Sequence, residues 1–216
     1  MKTGILFDLD GTLLSTLEDL TDAVNFTLRH YGCPERTPEE ICSYLGYGAR
    51  HLIASALPEK GKAFNVDQVL VFYQGYYATH NQIKTRPYDG ILQALEELSK
   101  EYPIAIVSNK PDIATKPMCK AYFGENIYAL GESASCPRKP APDMLYQGMA
   151  AIGVETCIYV GDSEVDVQTA HNAGMQCLSV LWGFRTKEYL AQEGATHFCD
   201  HPKNLVKCLK EMIKNG

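Results

Sequence analysis

Apolar positions along this chain follow two rhythms. Five-residue runs rich in β-branched, aromatic and other apolar side chains stand at 4–8 (GILFD), 104–108 (IAIVS), 126–130 (NIYAL), 157–161 (CIYVG) and 176–180 (QCLSV). Short apolar runs of this kind predict buried strands, and the helix-period segments between the later runs predict crossover helices. That alternation belongs to a parallel sheet covered by helices.

Between the first two runs the rhythm changes. In TLEDLTDAVNFTLRHYG, Leu17, Leu20, Val24, Leu28 and Tyr31 share one helical stripe, with Thr16 and Asp19 as a cap pair and Gly32 as the stop. Thr37, Pro38 and Glu40 give a second start signal, a capping box with proline at the first helical position. VDQVLVFYQGYYATHNQ reads as a further helix, and the strand–helix order resumes at PYDG. Residues 15–83 therefore read as an inserted all-helical domain, with 1–14 and 84–216 forming the α/β core. The chain is expected to cross between the two parts near 14–16 and again near 83–87.

Composition narrows the class. With 216 residues, 45% apolar and 21% charged, the chain has the balance of a soluble globular protein. Its net charge of −6 argues against nucleic acid as the partner, since such binders carry a basic face. No stretch of apolar residues is long enough to span a membrane, and MKTGILFDLDG reaches its acidic residues too early for a secretion signal. The eight cysteines include no C-x-x-C pair, and several sit in apolar runs as small hydrophobes, which points to a reducing, cytoplasmic setting. Nothing in the pattern separates a monomer from a homodimer.

Parallel α/β sheets gather their chemistry beyond the carboxyl ends of the strands. Asp8 and Asp10 follow the first run, Ser108 and Asn109 the second, Asp162, Ser163 and Asp166 the fourth, while Lys139 lies in CPRKPAPD before a proline-started helix. Several carboxylates converging on one point ionise together only with a cation among them. Hard oxygen ligands suit Mg²⁺, and Asp8, Asp10, Asp162 and Asp166 are the candidate metal residues. Metal and Lys139 together would offset a phosphate dianion. The i, i+2 spacing lets Asp8 serve as nucleophile toward phosphorus and Asp10 as acid, then base. Thr12, Ser108 and Asn109 offer neutral donors to a phosphoryl group and Lys139 a charged one.

DLDGT at 8–12, VSNK at 107–110, RKPAPD at 138–143 and GDSEVD at 161–166 resemble, in order and spacing, the four motifs of the haloacid dehalogenase-like hydrolase superfamily. The likeness spans residue 4 to about 185, and the chain is most similar to the phosphoglycolate phosphatase-like branch, with the helical insertion resembling a C1-type cap. Ser15, where many members carry Asp or another polar residue, departs from the common pattern in the hinge. The resemblance implies an α/β fold, a Rossmann-like parallel five-stranded sheet flanked by helices, with the cap inserted after the first motif. It also implies a Mg²⁺-dependent phosphatase for a small phosphorylated metabolite, acting through an aspartyl-phosphate on Asp8. Mg²⁺ would be held by Asp8, the Asp10 carbonyl and Asp162, with Asp166 a further ligand or a support for the others.

Other readings compete. A pyrophosphatase or sugar-phosphate phosphatase would use the same chemistry, whereas a phospho-accepting or silent binding module would not turn over. A receiver-type module needs a lasting phosphoaspartate, which an acid/base two residues later would undo. In GYGAR at 46–50, the family comparison turns the segment toward the active site, where Arg50 would bind a substrate carboxylate or second phosphate. Glu18, Asp19 and Asp22 read as a solvated helix face. His197, Cys199 and His201 alternate in HFCDH, but a pleated edge strand explains that spacing more simply than a metal site. Trp182 is expected to pack rather than to bind substrate.

Overall fold

The computed structural model describes residues 2–58 and 64–215. It opens with β1 (Thr3–Phe7) and the two-residue β2 (Leu14–Ser15), then four helices: α1 (Leu17–His30), α2 (Pro38–Ser43), α3 (Ala49–Ala56) and α4 (Val66–His80). The short β3 (Arg86–Pro87) brings the chain back to α5 (Ile91–Ser99), β4 (Ile104–Pro111), α6 (Asp112–Phe123) and β5 (Tyr128–Glu132). Then come α7 (Asp143–Ile152), β6 (Thr156–Gly161), α8 (Glu164–Asn172), β7 (Gln176–Val180), α9 (Lys187–Gln192), β8 (His197–Cys199) and α10 (Leu205–Asn215).

The main sheet runs β5-β4-β1-β6-β7-β8, parallel throughout. It has six strands where the apolar runs predict five. The sixth, β8, is the HFC of HFCDH, the pleated edge strand its alternation suggested, three residues paired with β7 and outside the five apolar runs. Strand β5 lies two residues beyond the predicted NIYAL, because Gly124 closes α6 at φ 82° and the next residues make the turn. Side chains alternate across β1. Ile5 and Phe7 join Ile91, Leu95, Met118 and Leu209 on one face, while Leu6 meets Val107, Met144, Leu145 and Tyr159 on the other.

Helices α1–α4 bury a separate cluster that includes Leu20, Val24, Leu28, Ile41, Leu52, Val69 and Tyr73. The capping box at Thr37 forms in both halves, with Glu40 N–H donating to Thr37 and Thr37 N–H to Glu40. The two crossings between helical block and sheet lie side by side, since β2 pairs antiparallel with β3, Leu14 opposite Pro87. Among the described residues no helix is long and apolar enough to cross a membrane.

Asp19 departs from its sequence reading. Thr16 makes no side-chain cap bond with it, and Asp19 is not solvated but 2% exposed. Its carboxylate accepts from the N–H groups of Ile83 (3.0 Å), Lys84 (2.9 Å) and Thr85 (2.9 Å), fastening the outgoing helix to the returning hinge. The partner lies too far along the chain for helical spacing to reveal it. Asp19→Ala strips the acceptor from three amides at once and is expected to lower unfolding free energy by about 2–3 kcal/mol. A urea midpoint equal to that of the unaltered protein would show the hinge held by other contacts.

Candidate functional site

Strand ends converge to build the site. Asp8 follows β1 directly, and its N–H donates to Val160 O at 2.8 Å, so the ladder continues through it. One carboxylate oxygen accepts the Leu9 N–H at 2.7 Å; the other meets Lys139 Nζ at 3.0 Å. Burial raises the Asp8 carboxyl to about 6, against the pull of Lys139 and with a push from Asp166.

Lys139 is 1% exposed and holds three partners: Asp8, Asp166 Oδ1 (2.8 Å) and the Tyr159 hydroxyl (2.7 Å). Burial works against its charge, but Asp166 and Asp8 outweigh burial and keep it protonated above the ordinary lysine range. Asp166 is itself saturated. Oδ1 accepts from Lys139 and Tyr159, while Oδ2 accepts from the N–H groups of Asp162 and Ser163 and from the Ser163 hydroxyl. Burial pushes the Asp166 carboxyl up, and Lys139 with these donors overcomes it, holding the group below the usual carboxylate range.

Asp162 accepts from the Thr12 hydroxyl at 2.8 Å and the Phe184 N–H at 2.7 Å. Burial first, then the charges of Asp166 and Asp8, push its carboxyl well up. Gly11, at φ 81°, and Gly183 close in around it, and a Cβ at either position would collide with the carboxylate. Oxygens of Asp8, Asp162 and Asp166 lie within 4.8 Å of one another. The donor set is hard, anionic and buried, and it fits a divalent cation: a second positive charge would let Asp8 and Asp162 ionise together.

Other predicted residues take different places. The Thr12 hydroxyl, expected on phosphate, instead orients Asp162. Asn109, also expected on phosphate, uses its side chain as a clamp. Its amide donates to Gly46 O and Lys139 O, and its oxygen accepts the Lys139 N–H at 2.8 Å. Ser108 is buried on the wall of the cavity, its hydroxyl facing Lys110 N–H at 3.4 Å. Arg50 lies elsewhere. GYGAR does face the site through Gly46 and Gly48, but the Arg50 side chain is 56% exposed and pairs with Asp67 at 2.8 Å, outside the cavity. Trp182 packs against the sheet core and donates to Thr12 O. His201 accepts the Lys203 N–H in a turn, and Cys199 is buried, so HFCDH gathers no site.

Two residues escaped the sequence reading. Lys110 is buried with Nζ at 3.1 Å from both Asp10 oxygens and 2.6 Å from the Tyr77 hydroxyl of α4. Tyr77 stays neutral, since burial and then Asp10 raise its hydroxyl well above the usual range. The i, i+2 relation to Ser108 on one strand was the available signal. Arg185 pairs with buried Glu164 at 2.7 Å and donates to Cys42 O and Leu45 O, tying the loop after β7 to the helical block.

The site opens onto a cavity of about 430 Å³ between the sheet ends and α1–α4, lined by Asp8, Asp10, Ser108, Lys110 and Asp162 among others. A nucleophilic carboxylate, a fixed ammonium beside it and a second carboxylate held by another ammonium can together transfer a phosphoryl group.

The haloacid dehalogenase-like hydrolase profile matches residues 5–180. The phosphoglycolate phosphatase of Aquifex aeolicus is 32% identical over 214 residues, covering 97% of this chain and 97% of its own. Phosphoglycolate phosphatase 1 of Pseudomonas aeruginosa is 30% identical, covering 94% of this chain and 78% of its own. A crystal structure from Lactobacillus delbrueckii subsp. bulgaricus, whose assignment as a phosphoglycolate phosphatase is itself a proposal, superposes with TM-score 0.88 at 36% identity, covering 97% of this chain and 99% of that one.

Proposed function

This chain belongs to the haloacid dehalogenase-like hydrolase family, and on that premise we propose that it is a Mg²⁺-dependent phosphatase of small phosphorylated metabolites, similar to phosphoglycolate phosphatases. The observation that carries the reading is Asp8, gripped by Lys139 at 3.0 Å, opening with Asp10 and Ser108 onto one cavity.

An Asp8 oxygen attacks phosphorus, the bond from phosphorus to the ester oxygen breaks, and Asp10 gives its proton to that departing oxygen. Asp10, now a carboxylate steadied by Lys110, takes a proton from the water that attacks the aspartyl-phosphate. Phosphate leaves and Asp8 is restored. Ser108 faces the phosphoryl oxygens, and Lys139, paired with Asp8, supplies positive charge to offset them. Asp8, Asp162 and the Asp10 carbonyl would hold Mg²⁺, which would supply positive charge to offset the carboxylates and the phosphoryl group. Asp166, with both oxygens engaged, supports Lys139 and the Asp162 loop. We assign 15–83 to a cap over a core of 1–14 and 84–216, and the unpaired cysteines support a cytoplasmic setting.

Phosphate release from 2-phosphoglycolate, pyrophosphate and glucose 1-phosphate, measured with Mg²⁺ and with EDTA, tests the reading. Steady turnover that EDTA abolishes is the expected result. A stoichiometric burst with no turnover would mark a phospho-accepting module instead.

A further inference from the structure

The cavity is built for more than a two-carbon acid. At no more than ~30 Å³ per heavy atom, the share of a water in the liquid, a phosphorylated two-carbon acid of about nine heavy atoms leaves a large part of the space unfilled, and the cavity measures about 430 Å³. Sites of this size usually enclose larger ligands on mostly apolar walls.

The walls match that size. Away from the carboxylates, the helical block contributes mostly apolar side chains, Leu20, Leu45, Leu52 and Tyr73 among them, beside the polar Gln74, Asn81 and Gln82. Helix α6 adds Ile113, which is 87% exposed although it borders the cavity, an apolar rim left in water. Among the described residues that line the cavity, the one cation is Lys110, and its ammonium is already shared between Asp10 and Tyr77. Arg50 is turned to Asp67. A carboxylate on the leaving group would lose water against leucines, whereas an apolar chain would gain by the same burial.

Resting on the phosphatase reading, we propose that the site hydrolyses phosphomonoesters of uncharged, apolar alcohols, with the alkyl or aryl body of the leaving group seated against the helical block. The P–O(alkyl) bond breaks, Asp10 protonates the alkoxide, and water then releases phosphate, so the products are the free alcohol and inorganic phosphate.

The test is a series of n-alkyl phosphates from ethyl to hexyl, whose leaving groups have nearly equal basicity. The expected result is a kcat/KM that rises about three- to fourfold per methylene, with hexyl phosphate above 2-phosphoglycolate. Ala49→Trp and Ala78→Trp, at two cavity-lining positions on different helices, are expected to pull the hexyl-to-ethyl ratio toward one. Calorimetric binding of n-alkylphosphonates to the Mg²⁺-loaded protein gives a readout free of chemistry, and affinity there should climb with chain length. A flat series in both turnover and binding, or a higher kcat/KM for 2-phosphoglycolate than for every alkyl ester, overturns the proposal. Absence of turnover on all substrates with binding that still climbs would overturn the phosphatase reading while keeping the apolar site.

Discussion

Asp8→Asn is expected to reduce phosphate release by at least about 10⁴-fold on every substrate, the scale on which removal of a catalytic nucleophile is felt when its partners act as a unit. The amide keeps the shape of the carboxylate, and its oxygen can still accept the Leu9 N–H that Asp8 accepts at 2.7 Å. What it lacks is the negative charge that makes a carboxylate oxygen nucleophilic toward phosphorus. Stability should move little, because two effects oppose each other. Lys139 loses one anionic partner but keeps Asp166 at 2.8 Å, and a buried carboxylate that repels Asp166 is gone. A melting temperature within about 3 °C of the unaltered protein is expected. Turnover within tenfold of the unaltered enzyme would move the nucleophile elsewhere; lost turnover with a collapsed melting temperature would make Asp8 structural.

The strand ends that line the site were legible because their signal is local. A short apolar run followed by acids names both a buried strand and what stands at its end, so Asp8, Ser108 and Asp162 lie where the runs place them. Strand β8 was legible as a pleated edge from its alternation, but not its place beside β7, since three residues of mixed polarity carry no signal of which strand they pair with. Side-chain direction was the other blind point. Thr12 and Asn109 sit in motifs at the site, yet their polar atoms turn to Asp162 and to the Lys139 loop, partners supplied by distant strands and loops. Arg50 turned away for the same reason. Its neighbour Asp67 is 17 residues on, at the start of a helix whose packing no local pattern fixes. Asp19 shows the converse, an acid on an amphipathic helix whose carboxylate is needed by a hinge that the sequence places far off.

Lys139→Met should lower unfolding free energy at pH 7 by about 3–5 kcal/mol, the range for removing one partner of a buried ion pair, and should also abolish phosphate release. Methionine fills much of the same volume, so the loss is one of charge more than of packing. Asp8 and Asp166 would be left facing each other without their shared ammonium, and Tyr159 can donate only one proton between them. The pH dependence separates charge from packing. In the unaltered protein Lys139 helps hold Asp166 below its ordinary pKa of 3.8, so that stabilisation is present above about pH 4 and is lost only in more acidic solution. Without Lys139, burial raises Asp166 above its unfolded value, and Asp8, already at about 6, rises further. A carboxyl raised in the folded state destabilises when ionised, and that penalty is relieved as pH falls through the raised pKa. The variant should therefore regain part of its deficit between pH 7 and pH 5, measured by urea unfolding in EDTA, while the unaltered protein gains less over the same interval. An equal deficit at both pH values would mean that Lys139 holds the fold by packing, and that the charge balance among Asp8, Asp162 and Asp166 is maintained by other groups.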